Sequence, residues 1–283
     1  MATLPTTVML MKPHAKMGKP VAKAFQSLYQ VLLEQGVDNI LVNQSAESTI
    51  GALYPACWLT TLPEGIVLIL PIHRRERRQE KRDDILETLE KKYLLKDVED
   101  WSEFEVEGFF LEGTASMVID HQHKLIYASH SPRTHTAILE KLSSAHKYKA
   151  ITFNARDGAG KIPLHTNMLM HFGEDFVLLC EEAFTDDMDL MAVKQLLLST
   201  GYRIIPFTLD QLALYMGNSF SCKSKDGKSL LLMGEPAVAS LTQEQRKQLG
   251  KQVKIFPISV EAIETIGDAG LNAMLVPIWL QTK

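Results

Sequence analysis

The sequence predicts an α/β fold of five ββαβ units arranged in a closed ring, within a single domain that spans residues 1–283. Three observations predict this fold. An internal repeat recurs roughly every 50 residues, strand and helix signals alternate within each repeat, and no linker rich in Pro, Gly or Ser divides the chain.

The repeat is clearest in three segments, LEGTASMVIDHQHKLIYAS, LHTNMLMHFGEDFVLLCEE and MGNSFSCKSKDGKSLLLMG. Each has a polar lead-in, a short apolar strand, a turn and a second apolar strand. The lead-ins begin near Glu112, His165 and Gly217. Each strand pair precedes a helical pattern (TAILEKLSSAH, DLMAVKQLLLSTG, QEQRKQLGK) and a further short strand (KAITFNA, YRIIPFTL, KIFPIS).

Two further units complete the set. Upstream, GALYPACWLTTLPEGIVLILP supplies a strand pair and RDDILETLEKKY a helix. The fifth unit draws on both ends of the chain: AGLNAMLVPIWL gives its lead-in and first strand, while TTVMLMKP, AKAFQSLYQVLLEQG and NILVNQ give the rest. A unit assembled from both termini predicts a closed ring, with all lead-ins facing a common centre.

Composition restricts the functional class. The 283 residues are 46 % hydrophobic and 23 % charged with a formal charge of -4, which indicates a globular protein and argues against general nucleic-acid binding. No apolar run approaches the roughly 20 residues of a spanning helix and no signal peptide is evident, so we expect a cytoplasmic protein without membrane contact. A homodimer is compatible with the sequence and is left open.

The three cysteines, Cys57, Cys180 and Cys222, are expected to be free thiols. Their number is odd, and they form neither a CxxC motif nor a Cys/His cluster at zinc-ligand spacing. We therefore expect no disulfide framework, no metal and no cofactor.

If the lead-ins converge, they line one central pocket. It would be formed by residues Gly51–Trp58, Glu112–Thr114, His165–Asn167, Gly217–Ser219 and Gly270–Ala273. Such a pocket would bring a carboxylate, an imidazole and several amides together from distant positions, a combination suited to a small-molecule site.

Four segments, FFLEGTASMVID, SHSPRTH, IPLHTNMLM and IETIGDAGLNAM, resemble the guanidino-group-modifying (pentein) superfamily. The resemblance covers essentially the whole chain and is strongest to citrulline hydrolases related to arginine deiminase, often labelled amidinotransferases. It implies a mechanism in which a cysteine at the start of the last strand attacks the guanidino or ureido carbon. A histidine would transfer protons, and carboxylates would hold the planar head group.

Carried over position by position, the resemblance assigns the histidine to His165 and the carboxylate to Glu112. Arg133 matches an SPRT arginine, and Asn218 matches the second residue of a GN pair. The expected ligand-binding residues are Glu112, Thr114, Arg133, His165, Asn167, Asn218, Cys57 and, because relatives carry an acid there, Asp157.

The chain departs from the family pattern at the reacting centre. Where relatives read roughly GGxSxRCM, this sequence has GDAGLNAM, so Ala273 stands at the nucleophile position and Asn272 replaces an arginine. Where relatives read PDAVFPNNW, it has IGALYPACW, with Gly51 in place of a substrate-binding aspartate. In serine proteases, loss of the catalytic nucleophile lowers the turnover rate roughly a millionfold.

Three hypotheses follow. The first is a catalytically inactive member that binds a small guanidino, ureido or amino-acid ligand. The second is an active C–N hydrolase or amidinotransferase that uses a relocated thiol, Cys57. The third is a non-catalytic structural or protein-interaction subunit.

Two other motifs are interpreted structurally. The charge run HRRERRQEKRDDILETLEKK, from His73, has interleaved acids and is expected to form a solvated helix face. His121 and His123 flank a hairpin turn without a third ligand in register, and both are expected to be exposed.

Overall fold

Short apolar runs separated by tight turns give the chain fifteen described strands, all of three to six residues. The computed structural model describes residues 4–44, 49–250, 253–267 and 269–283. The strands are β1 (Thr7–Lys12), β2 (Asp38–Asn43), β3 (Leu59–Leu62), β4 (Ile66–Ile69), β5 (Asp97–Asp100), β6 (Val118–Asp120), β7 (Leu125–Ser129), β8 (Lys149–Phe153), β9 (Met170–Phe172), β10 (Phe176–Leu179), β11 (Arg203–Pro206), β12 (Phe220–Lys223), β13 (Ser229–Gly234), β14 (Val253–Ile258) and β15 (Val276–Ile278).

In each unit at least one helix joins the second and third strands, and further helices lie between units. The helices are α1 (Lys19–Glu34), α2 (Asp83–Lys92), α3 (Phe104–Glu107), α4 (Gly113–Ser116), α5 (Thr136–His146), α6 (Asp187–Ser199), α7 (Leu209–Ala213), α8 (Glu235–Ser240), α9 (Gln243–Leu249) and α10 (Glu261–Gly267). The second and third strands are joined by α1, α2, α5, α6, and α8 with α9, whereas α3, α4, α7 and α10 lie between units. The last unit has two helices in this connection, because α8 precedes the expected α9. Residues 251–252, of which residue 251 ends the predicted helical pattern QEQRKQLGK, lie outside the described residues.

The described strands form five separate three-stranded sheets of one topology. In each sheet the first two strands pair antiparallel and the third pairs parallel to the second. Their orders are β15-β1-β2, β3-β4-β5, β6-β7-β8, β9-β10-β11 and β12-β13-β14. The first of these joins the two chain ends, which confirms the five ββαβ units.

The lead-in before each sheet forms a short helical turn, and the five turns meet at the centre. They are Pro55–Cys57, α4, Thr166–Met168, Met216–Asn218 and Leu271–Met274, and each contacts the next in cyclic order, the last contacting the first. The approach is close enough to require glycine. A Cβ on Gly113, at φ +48°, would lie 2.1 Å from the Ala56 carbonyl oxygen, and one on Gly217 would lie 2.0 Å from that of Met168.

Buried apolar side chains fill the space between the sheets and the outer helices. The largest cluster lies around β10 and includes Phe153, Phe176 and Leu179, all fully buried. A second cluster joins α1 to the closing lead-in and contains Leu28, Cys57 and Ala273. The three cysteines are free and buried, as expected. Within the described ranges, no helix combines the length and apolar character that a membrane crossing requires.

Two expectations about charged or polar motifs are wrong. The run from His73 does not form a solvated helix face throughout. Residues Arg75–Glu80 form a 3-10 helix in which Arg77 and Glu80 are each only 7 % exposed, and α2 begins afterwards. His121 is also buried, since its Nδ1 lies 2.7 Å from the Tyr148 hydroxyl and its ring packs against Trp279.

Candidate functional site

Residues of four of the five converging turns line two separate cavities, whereas the sequence predicts a single pocket lined by all five. The first, here called the Cys57 cavity, has a volume of about 280 Å³. It is lined by Thr49, Ile50, Gly51, Tyr54, Cys57, Arg74, Glu76, Arg77, Arg133, His165, Ile266, Gly267 and Ala269. The second, the Asn167 cavity, has a volume of about 100 Å³ and includes Thr114, Asn167 and Asn272 in its lining. No residue lines both cavities.

Glu112 is the centre of a buried polar cluster beside the Cys57 cavity. It stands immediately before α4 and has no exposed surface. Its Oε2 lies 2.7 Å from His165 Nε2 and accepts a 3.3 Å bond from Arg133 Nη1, while its Oε1 accepts a 3.1 Å bond from the His73 backbone N–H. The structure thus brings together Glu112, His165 and Arg133, three of the residues that the resemblance assigned to the site.

The charges around Glu112 keep it ionised. Burial alone would raise its pKa, but the hydrogen bond and charge of His165, with the charges of Arg133 and Arg77, outweigh that effect and lower the pKa to about 2. Because the His165–Glu112 contact requires a proton on Nε2, that nitrogen is a donor and cannot act as a base. Both oxygens of Glu112 already have partners within the protein.

Cys57 reaches the same cluster from the second lead-in. Its Sγ and ligand atoms of Glu112 and His165 all lie within 4.8 Å of one another. The thiol is 1 % exposed, and burial, helped by the charge of Glu112, raises its pKa to about 11 despite nearby Arg77. At neutral pH it is therefore a thiol and a weak nucleophile.

Arg77 lies on the cavity wall next to Gly51 and is paired with Glu80, and sequence reasoning assigned neither of them to the site. Arg77 Nε lies 3.1 Å from each Glu80 carboxylate oxygen, and Nη2 lies 2.9 Å from Oε2. The same Nη2 donates to the Gly51 and Tyr54 carbonyl oxygens at 3.0 and 3.2 Å. A Cβ at Gly51 would lie 2.6 Å from Arg77 Nε, so the guanidinium fills the space that a side chain at this position would take.

Three asparagines form a chain on the other side of the lead-ins. Asn272 N donates to Asn218 Oδ1 at 2.9 Å, and its Nδ2 donates to the Ser219 carbonyl oxygen at 2.7 Å. Asn167 Nδ2 in turn donates to Asn272 Oδ1 at 3.2 Å. Asn167 and Thr114 line the Asn167 cavity, and neither of them lines the Cys57 cavity.

Two further predicted site residues, Ala273 and Asp157, line neither cavity. Ala273 is 2 % exposed and packs in the apolar cluster with Leu53 and Cys57. Asp157 does not enter the pocket, because its Oδ1 accepts from the backbone N–H groups of Ala159 and Lys161 and so closes its own loop. Asp268, within the loop that carries Ala273, lies outside the described residues.

Cys57, Glu112 and His165 are also the one grouping of potential metal ligands among the described residues. Their chemistry would suit a divalent transition metal. However, Arg77 and Arg133 adjoin the group, and Glu112 already bonds to His165. A metal ion would have to displace these partners and accept two neighbouring cations, which disfavours it.

Comparisons with solved structures match the whole ring. The N-terminal domain of ArgZ, an arginine dihydrolase from the ornithine-ammonia cycle in cyanobacteria, superimposes with a TM-score of 0.73 at 11 % identity, covering 95 % of this chain and 97 % of that one. A mutant of AgrE in complex with L-arginine gives 0.75 at 12 % identity, covering 95 % of this chain and 40 % of that one. A dimethylarginine dimethylaminohydrolase adduct gives 0.69 at 14 % identity, covering 97 % and 100 %.

The five-unit ring with converging lead-ins is the fold of these solved structures, and a family-model match over residues 7–280 places the protein among the guanidino-group-modifying proteins of the pentein superfamily. Within it, the chain belongs to the eukaryotic N,N-dimethylarginine dimethylhydrolase family, whose family model matches residues 7–280. The chain spans about two fifths of the full-length ArgZ and AgrE chains, with 39 % and 40 % covered. The comparison with curated protein sequences found no match.

Proposed function

We propose that this protein is a non-hydrolytic member of the family that binds a small ligand in the Cys57 cavity. One observation carries the proposal: among the described residues lining that cavity, Cys57 holds the only thiol, and its pKa of about 11 keeps it protonated. The position that the resemblance assigns to a nucleophile is Ala273, a buried methyl group.

The cavity itself supports a binding role. Its volume of about 280 Å³ is close to the lower end of typical small-molecule sites, and buried Arg133 and His165 lie on its wall. Among the neighbours, AgrE is described in complexes with L-arginine and with ornithine and NAD⁺. For this chain we propose a small guanidino, ureido or amino-acid ligand, which binds and is not turned over. We also propose that residues 1–283 form a single domain.

Thermal unfolding with L-arginine, L-citrulline, L-ornithine, agmatine and N,N-dimethylarginine tests the binding. A ligand at a hundred times its dissociation constant stabilises the fold by about 2.7 kcal/mol. For a chain of this size we expect the unfolding midpoint to rise by about 2–4 °C per kcal/mol. No shift with any ligand, here or with the anions considered below, would contradict the proposal and favour a structural or interaction role.

A hydrolase that uses Cys57 is the second candidate, because Cys57, His165 and Glu112 lie within one small group. The raised pKa opposes it, since roughly a thousandth of such a thiol is ionised at pH 8. Alkylation by iodoacetamide separates the two candidates in a Cys180→Ala/Cys222→Ala variant, with a further Cys57→Ala variant as the control. Labelling that rises steadily above neutral pH fits the inert thiol, whereas rapid labelling below pH 7 would favour the hydrolase.

A further inference from the structure

The wall of the Cys57 cavity carries more hydrogen-bond-donating arginine side chains than carboxylates. Arg77 and Arg133 are buried lining residues, and Arg74 lines the cavity from an exposed position. The carboxylates that balance the buried pair, Glu80 and Glu112, are absent from the lining residues. Of the lining residues that the structure describes, only the exposed Glu76 is acidic.

Both buried carboxylates are committed to internal partners. Glu80 accepts three hydrogen bonds from Arg77, and Glu112 accepts from His165, Arg133 and the His73 backbone. A cationic ligand would have to break one of these buried pairs to gain a carboxylate. It would also approach the guanidinium groups of Arg77 and Arg133, and like charges in a partly desolvated site repel strongly.

Arg77 itself holds the position that a ligand guanidinium would need. Its planar head is fixed by Glu80 and by the Gly51 and Tyr54 carbonyl oxygens, and it lies within hydrogen-bonding reach of Cys57. The cavity thus already contains a guanidinium, provided by the chain and bound by the groups that would recognise one. The space that remains faces the arginines.

We infer that the Cys57 cavity selects a small anionic ligand with carboxylate or phosphate oxygens, and that Arg77 excludes guanidinium compounds from it. Guanidinium groups offer paired donors that match such oxygens. The inference rests on the proposed binding function and names the ligand class for that same cavity. An amino acid would bind through its carboxylate, and agmatine, which has a guanidinium and no carboxylate, would not bind.

The test compares glutarate, inorganic phosphate and agmatine at one ionic strength, by thermal unfolding and calorimetry. The wild type should be stabilised by glutarate or phosphate and not by agmatine. Binding of glutarate would indicate that the cavity selects carboxylates, and binding of phosphate would indicate that it selects phosphates. An Arg77→Met/Glu80→Gln variant removes both members of the buried pair and so leaves no unpaired charge. It should bind the anion about tenfold or more weakly.

A second pair of variants keeps the test independent of core stability. Arg74 and Arg75 are adjacent and exposed, but only Arg74 lines the cavity. Arg74→Ala should weaken anion binding by a few-fold, about the effect of one exposed charge, while Arg75→Ala should match the wild type.

The outcomes are distinct. Stabilisation of the wild type by agmatine, or anion binding that both the Arg77→Met/Glu80→Gln and the Arg74→Ala variants leave unchanged, would overturn the inference and leave the proposed binding function intact. If neither the anions, nor agmatine, nor the amino-acid panel stabilises the wild type, both the inference and the proposed binding function are overturned.

Discussion

The Glu112 carboxylate accepts hydrogen bonds from His165, Arg133 and the His73 backbone, and has no exposed surface. Such a residue serves the fold as well as the site, since a buried ion without its partner is costly. In this chain Glu112 neutralises Arg133 and fixes the orientation of the His165 ring, which gives both residues a structural reason to remain where the resemblance places a catalytic cluster.

We predict that Glu112→Gln lowers the free energy of unfolding by about 3–5 kcal/mol, the usual cost of breaking a buried ion pair. The loss should be pH-dependent. The folded pKa of about 2 lies below the ordinary 4.5, so the stabilisation is complete above about pH 4.5 and is lost as the pH falls toward 2. Urea unfolding measures it, with exposed Glu87→Gln as the control; equal effects of the two substitutions would contradict the assignment.

Glu264, on α10 beside the Cys57 cavity, shows the opposite behaviour. Burial, with a smaller contribution from Glu261, raises its pKa to about 7 from 4.5. The folded state therefore holds a proton that the unfolded state has lost between these values, and stability falls as the pH rises from about 4.5 to 7.

Replacing this carboxyl by a neutral amide removes the penalty. We expect Glu264→Gln to match the wild type near pH 4 and to exceed its stability increasingly up to about pH 7, by at most about 3 kcal/mol at 1.36 kcal/mol per pKa unit. Unfolding midpoints measured across this range give the comparison. A difference that stays constant with pH would show that the folded pKa of Glu264 is not raised.

At the level of elements, the short lead-in turns bring the site together. Each turn precedes the first strand of a sheet, so its side chains point toward the ring centre from five distant parts of the sequence. Gly113 and Gly217 permit the turns to approach within backbone contact distance. The site residues divide between two cavities, with His165 lining one and Asn167 and Asn272 lining the other.

A glycine substitution tests that close approach. Gly217→Ala would place a Cβ 2.0 Å from the Met168 carbonyl oxygen, and the resulting backbone shift should destabilise the protein by at least about 1–3 kcal/mol. Gly158→Ala is the matched control, because its Cβ would meet only Leu209 at 3.7 Å. Thermal unfolding of the two variants should separate them clearly, and equal midpoints would mean that the lead-ins are not tightly packed.

The 3-10 helix Arg75–Glu80 is the element that sequence reasoning misinterpreted. Its charge density favours a solvated helix, and nothing in the local pattern distinguishes Arg77 from Arg75 or Arg78. The signal lay elsewhere in the chain, at Gly51, whose missing side chain leaves the space that Arg77 fills. The charge pattern and periodicity of one segment cannot show that a distant glycine leaves space for one of its side chains.

Across the whole molecule, the repeat predicted the architecture well. Spacing and strand–helix alternation identified all five units, including the one built from both termini, because each unit repeats one local pattern. The site was predicted only in part. The position of Glu112 opposite His165 followed from repeat equivalence, whereas the separation of two cavities and the inward turn of Arg77 depend on side-chain packing between units.

The central proposal is that the family pocket binds a ligand and does not hydrolyse it. The most direct measurement is the release of ammonia or dimethylamine from L-arginine, agmatine and N,N-dimethylarginine during long incubation with the wild type and with Cys57→Ala. We predict no release above the protein-free control for either protein. Release that requires the wild-type protein would contradict the account, and its loss in Cys57→Ala would assign catalysis to the relocated thiol.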